Sequence, residues 1–461
     1  MNYMNKTTRN ALGAEHSRLG GLRALVVKKS VLLVLLLPMV GTAQTNGLSL
    51  AEVRAAVLAA NPSVREAVQR IAAAEAVLQQ AKSAVRPTLS MTGSYGHVDA
   101  SLHPDIDPVN RYSDSFKQAS VGLQANWLLL DGCASRARIL AAEHGVQQTR
   151  ELVDETRRLL ILSATVTFRQ AQLARENVAI AERDFAFNTN LESDARKRFE
   201  AGAAPESEVL NFTIRALQAE SAALQARLEY NTARVVLAEL MALPEDRLSD
   251  ALPIAEIDFS APEPVPSMDG VLKSALARRP DYKALTAGRL ALAESVKAAK
   301  GELAPKVALV GDVNYVDRHG YTVAGQHGNY DSFVGLAASW DLFTGQREQN
   351  AVKQAQAEMR ALEERQESLR LSIRSALRQR IAEAETARAV YERQKQIHEL
   401  TVKVRDSVEK SYKAGLAPIT RLNEAQTDLV RARGGYSSSY IAYRLILNQL
   451  DIETGRVLET L

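Results

Sequence analysis

The sequence predicts a mixed chain of long coiled-coil α-helices and four short membrane-facing β-strands, written as a twofold internal repeat. Three observations carry this prediction. Two helical stretches run without proline for some 67 residues, from Gly132 to Phe199 and from Gly345 to Tyr412. Four shorter stretches alternate apolar with polar residues, the period of a strand with one oily face. Matching landmarks also recur at fixed spacing through both halves.

Composition agrees with the helical part. Aromatic residues make up only 5% of the 461 positions, and the long stretches are rich in Ala, Leu, Glu, Gln and Arg, all good helix formers. Residues 1–43 read as an export signal: Lys28 and Lys29 precede the apolar run Val31 to Val40, and Gly41-Thr42-Ala43 supplies small residues for cleavage. The mature chain is expected to begin near Gln44. A retained membrane helix is the competing reading, but the run is well short of the roughly 20 residues a spanning helix needs. Removing the leader takes away six basic residues and Glu15, and leaves a net charge of about −2. The basicity thus belongs to the leader and gives no reason to expect nucleic acid. Cys133 is the single cysteine, so no intrachain disulfide forms, and no cysteine follows the cleavage site to carry a lipid anchor.

The repeat sets the domain plan. Asn61-Pro62 lies 25 residues before Pro87, and Arg279-Pro280 lies 25 residues before Pro305. Trp127-Leu-Leu-Leu-Asp-Gly132 matches Trp340-Asp-Leu-Phe-Thr-Gly345, and 70 residues separate each closing glycine from Gly202 and Gly415. The offset between halves is 218 before the strands' connecting loop and 213 after it, so that loop is the segment of variable length. The expected units are a leader (1–43), a first repeat (44–242), a Pro-rich linker (243–270), a second repeat (271–454) and a tail (455–461).

Each repeat opens with an alanine-rich helix, Ser63 to Arg86 and Asp281 to Ala304, ended by the following proline. Strands follow at about 88–98 and 118–130, then 306–316 and 332–343. Leu89, Met91, Tyr95, Val121, Leu123 and Trp127 fall on one face, with Val313, Tyr315, Val334 and Leu336 as counterparts. Each strand has about the 9–11 residues that cross a bilayer when tilted. Polar loops, Asp99 to Ser115 and Asp317 to Tyr330, join them. His97, His103, His319 and His327 in or beside these loops read as solvated side chains.

The helical stretches would be about 100 Å long at 1.5 Å per residue. A heptad line runs through the first as Leu152, Leu159, Val166, Leu173, Ile180 and Phe187. The second carries Leu362, Leu369, Ala376, Glu383, Val390, Ile397 and Val404, a narrow seam of the coiled-coil kind. Gly-x-x-Pro turns at 200–206 and 413–419 then reverse the chain, so each is the tip of a helical hairpin. Four amphipathic strands cannot close a membrane barrel, because open edges would leave backbone groups unpaired in hydrocarbon. Further copies must complete it.

The Asn-Pro and Arg-Pro starts, the duplicated helix-strand-loop-strand-rod order, and the tips Phe199-Glu-Ala-Gly-Ala-Ala-Pro-Glu-Ser-Glu-Val-Leu210 and Tyr412-Lys-Ala-Gly-Leu-Ala-Pro-Ile-Thr-Arg-Leu422 resemble the TolC family of outer-membrane efflux and secretion factors, over essentially the whole mature chain. The resemblance implies a homotrimer whose twelve-stranded β-barrel in outer-membrane lipid continues into a periplasmic α-helical barrel in a Gram-negative envelope. It implies a passive duct in a tripartite efflux pump or type I secretion system, fed through a periplasmic adaptor (membrane fusion protein) by an inner-membrane pump or ABC exporter. It implies no cofactor and no enzymatic step.

Carried over by position, the adaptor-docking tips fall on Gly202, Glu208, Val209, Leu210, Gly415, Arg421 and Leu422, with plain helix connectors as the alternative. The periplasmic gate falls on Arg421 and Glu424. The resemblance has acids at both gate positions, and Arg421 departs from it; pairing of Arg421 with Glu424 or with Glu208 would lock the closed state. Trp127 and Trp340 read as a membrane-interface aromatic belt, or as packed aromatics where strand meets rod. No phosphate loop, zinc spacing or nucleophile motif is present in the sequence. The competing class is a soluble periplasmic coiled-coil scaffold or adaptor, which would need neither two hairpins nor four bilayer-length strands.

Overall fold

A computed structural model describes residues 47–102, 112–243, 254–259, 264–319 and 328–459. The expected leader, the loop tips with His103 and His327, and part of the linker lie outside these residues. The rest belongs to one compact unit, Asn46–Leu461.

The first repeat opens with a helix before the one read from the sequence: α1, Leu50–Ala60, is followed by α2, Pro62–Ser83. Ser49 starts α1 with a full capping box, its side chain accepting from the Glu52 amide while Glu52 reaches back to the Ser49 backbone. Asn61 separates the two helices. Its side chain accepts from the Ser63 amide at 2.9 Å and donates to the Leu240 carbonyl at 3.0 Å, and Pro62 fits the first helical position because it needs no amide there. The second repeat does the same with α5, Met268–Arg278, and α6, Pro280–Gly301. Thus α5 begins inside the stretch read as linker. At its break Arg279 grips Asp281 through two hydrogen bonds of 2.7 and 3.0 Å.

Strands β1 (Thr88–Leu102), β2 (Tyr112–Leu130), β3 (Lys306–His319) and β4 (Gly328–Ser339) form one antiparallel sheet in the order β1-β2-β3-β4. Their ladders extend into the stretches read as loops, pairing Asp99 with Ser115 and Leu102 with Tyr112. Polar side chains end an apolar face without ending backbone pairing, which is why the alternation understated the strands. β4 stops at Ser339, so Trp340 lies just beyond it. The register stacks Leu89, Ala125, Gly311 and Val334 in one row, and Met91, Leu123 and Val313 in the next. Leu89, Met91, Leu123 and Val334 are exposed. On the opposite face, Ser94 and Ser120 hydrogen-bond at 2.8 Å. Among the described residues β1 and β4 each keep one unpaired edge.

The rods are α3, Ala134–Glu200, and α7, Arg347–Lys413, 67 residues each; α4, Glu206–Leu240, and α8, Ile419–Glu453, return from the tips. α4 packs on α3, α3 on α8 and α8 on α7. Equivalent apolar clusters anchor the two halves: Val53 and Val57 with Ala164 and Leu237 in one, Val271 and Ala275 with Leu377 and Leu450 in the other. Each strand-to-rod bend has two consecutive left-handed residues, Gly132-Cys133 and Gly345-Gln346.

Gly132 is the tighter of the two glycines. A Cβ there would fall 2.5 Å from the Gly301 carbonyl oxygen, where α6 ends. Gly132→Ala combines left-handed strain with a backbone clash and should cost about 2–4 kcal/mol. Thermal unfolding of the detergent-solubilised protein would show it as a lowered midpoint.

The rods correct the expected α7 seam. Val390, Ile397 and Val404 are exposed, while the line facing the chain's own core runs one residue later through Leu377, Ala384, Tyr391 and Tyr412. Helix α7 therefore carries two heptad lines, and the more aliphatic one in its lower half faces outward.

Candidate functional site

The hairpin tips bring the greatest number of the expected positions together. Gly202 and Gly415 adopt φ of +74° and +75°, the left-handed conformation that closes a helix at low cost only for glycine. Ala203 donates to the Arg198 carbonyl at 2.7 Å and Gly202 to Phe199 at 2.8 Å; Leu416 to Ser411 and Gly415 to Tyr412 repeat the pattern at 2.8 and 2.9 Å. Pro205 and Pro418 then start the returning helices. Glu206 and Glu208 in the first turn of α4 complement its positive end, whereas α8 has no acid there.

Beneath the turns, Leu191, Ala195, Val209, Phe212, Tyr412 and Leu422 form a shared apolar cluster. Two residues expected on a docking surface are therefore inside the chain: Leu422 is fully buried and Val209 is 9% exposed. Helical periodicity explains this, since Val209 shares its inward face with Phe212 while Leu210, 55% exposed, points away.

Glu208 is at the centre of a three-membered clasp. Arg198 Nη2 donates to Glu208 Oε1 at 2.5 Å. The Tyr412 hydroxyl also donates to Glu208 and accepts from Arg198, whose guanidinium carbon lies 5.2 Å from the Tyr412 ring centroid. Burial, followed by the Glu208 hydrogen bond, raises the phenol above its ordinary value, so Tyr412 stays a donor near neutral pH. Arg198 and Glu208 belong to the first hairpin and Tyr412 to the second, so the clasp ties the two tips together.

Of the two pairings expected for Arg421, the one with Glu424 is present and the one with Glu208 is not. Arg421 contacts Glu424 at 3.2 Å on the same helix, with both side chains exposed, and Glu208 is occupied by the clasp. An exposed pair within one helix contributes about 0–1 kcal/mol and cannot hold two elements together. Sequence reasoning missed Arg198 and Tyr412 as partners of Glu208. The repeat aligns Tyr412 with Phe199 and Glu208 with Arg421, so the clasp residues differ between the halves and periodicity alone did not mark them.

Above the tips the hairpins are joined by Gln426 to Asp184 at 2.7 Å, Arg433 to Glu176 at 3.1 Å and Arg169 to Asn448 at 3.0 Å. Beside this seam His398 stacks on Tyr436 with ring centroids 5.4 Å apart. Its Nδ1 is buried without a hydrogen-bond partner. Burial, and then Arg433, lower its affinity for a proton below the ordinary value of 6.5, with Glu399 opposing. The unfolded chain therefore takes up this proton first, and the fold loses stability as pH falls below about 6.5. His398→Phe should flatten that part of a stability-against-pH curve measured by thermal unfolding.

The two tryptophans occupy equivalent places. Trp127 Nε1 donates to the Val85 carbonyl at 3.0 Å and Trp340 Nε1 to Leu303 at 3.2 Å. Each indole thus fastens the end of a return strand to the segment that links the preceding helix to its strands. Both rings remain exposed.

A model of the outer membrane efflux protein family matches residues 53–243 and 271–450. Outer membrane efflux protein BepC of Brucella suis biovar 1 is 25% identical over 351 residues, covering 76% of this chain and 73% of BepC. The Campylobacter jejuni CmeC outer membrane channel superposes with a TM-score of 0.74 at 14% identity, covering 88% of this chain and 85% of its own. The open-state Neisseria gonorrhoeae MtrE outer membrane channel gives 0.68 at 19%, covering 88% of each chain.

Proposed function

The chain belongs to the outer membrane efflux protein family, and from that premise we propose that three copies close a twelve-stranded barrel continued by a periplasmic helical tunnel. As a channel of the outer membrane that extends into the periplasm, it conducts substrate passively. An inner-membrane pump or ABC exporter supplies the energy and a periplasmic adaptor makes the connection. We assign the chain no catalytic step.

One observation carries the reading: a single copy has two unsatisfied flanks. The sheet leaves edges at β1 and β4. On the helices, Ile214, Leu217, Leu224, Leu228 and Val235 form an exposed line along α4, at intervals of three, seven, four and seven residues. Val390, Ile397, Leu400 and Val404 form another on α7. Among the described residues these are coiled-coil seams without partners inside the copy. Joining the β1/α4 flank of one copy to the β4/α7 flank of the next is a head-to-tail contact that closes when the rotation allows. A soluble scaffold would have no use for the apolar sheet face.

For the adaptor we propose the outward part of the tips, Gly202, Leu210 and Gly415, and for the gate the tip clasp together with Arg421 and Glu424. Trp127 and Trp340 would then lie at the periplasmic membrane boundary. Native mass in detergent together with conductance in planar bilayers tests the duct: a trimer that forms discrete channels is expected, and a monomer released without detergent would refute it.

A further inference from the structure

Within one copy polar contacts cross the junction between hairpins beside the shared apolar cluster, through the tip clasp and the links from Gln426 to Asp184 and Arg169 to Asn448. In the ring proposed above, the junction between copies repeats it with the two halves exchanged. Each first-repeat residue is replaced by its counterpart 213 positions on, and each second-repeat residue by its counterpart 213 positions back in the next copy. The Asp184–Gln426 pair then becomes Ile397 with Thr213, and Arg169–Asn448 becomes Ala382 with Val235. Each exchanged pair therefore includes one residue of an exposed apolar line, Ile397 on α7 and Val235 on α4.

At the tip the exchange is chemically matched at three positions at once. Tyr412 becomes Phe199, Glu208 becomes Arg421, and Arg198 becomes Ser411. A phenyl ring cannot donate to a carboxylate, and the carboxylate has gone; a guanidinium needs a π face, and the ring remains. Ser411 removes the cation that would repel the arriving arginine. In a single copy both participants are open, Phe199 at 43% of its surface and the Arg421 side chain at 58%. Within the copy, Arg198 already shows that this ring position accepts a guanidinium.

We infer that in the assembled ring Arg421 of one copy stacks on the Phe199 ring of the next, so that the tip is closed by two alternating clasps, polar within a copy and cation–π between copies. The inference rests on the ring reading, and its test separates the two. With Cys133→Ser as background, Phe199→Cys and Arg421→Cys are combined and treated with a short bis-maleimide. Dimer and trimer bands under reducing denaturation are expected from the double variant, and monomer alone from either single one. In bilayers, Arg421→Gln and Phe199→Leu should each raise closed-state conductance about three- to tenfold, with the double variant no higher than a single one. An assembled trimer that gives no cross-link, or additive effects, would overturn the clasp alone. A monomeric native mass would remove the ring and the duct with it.

Discussion

Glu208→Gln should convert a mostly closed duct into one that leaks, raising closed-state conductance about ten- to a hundredfold. Glu208 is the acceptor shared by Arg198 and Tyr412, and these are the side chains that join the tip of one hairpin to the other. Charged hydrogen bonds contribute about 1.5–3 kcal/mol each, and each 1.4 kcal/mol is a factor of ten in the closed-to-open ratio. The amide keeps the shape of the side chain but loses the charge that both donors seek. Tyr412→Phe keeps the buried ring and removes one donor, so a smaller rise is expected. Arg431→Gln serves as control, because the Arg431–Asp428 pair is exposed on one helix and contributes little. Single-channel recording provides the measurement, and a Glu208→Gln channel as tight as the parent would exclude the clasp from gating.

The second large effect concerns assembly. Leu224→Asp combined with Leu228→Asp should yield a folded chain that remains monomeric. Both leucines are exposed in the single copy, so the change removes little packing inside it. At a junction between copies each would bury apolar surface contributing about 1.5–3 kcal/mol, and a carboxylate placed there adds a desolvation cost. Native mass should fall from trimer to monomer while helical circular dichroism persists. Ala219→Asp, on the inward face of the same helix, should instead disrupt the hairpin itself. A trimer that survives both leucine changes would move the interface away from α4.

The sequence by itself determined the repeat, the four alternating strands, the two rods and the glycine tips. Each is written in short-range terms: a period of two or of three and a half, a glycine where the backbone must turn left-handed, a proline where an amide is not needed. Tertiary structure decided which face of each element is inside. Helix α7 has two heptad lines one residue apart, and its neighbours α5, α6 and α8 select the line of Leu377 and Tyr391. The same holds at the tips, where packing buries Val209 and Leu422 and brings Arg198 within reach of a carboxylate on α4 and a phenol 214 residues away. Local periodicity defines the faces of an element, but the burial that chooses among them is a property of what packs against it.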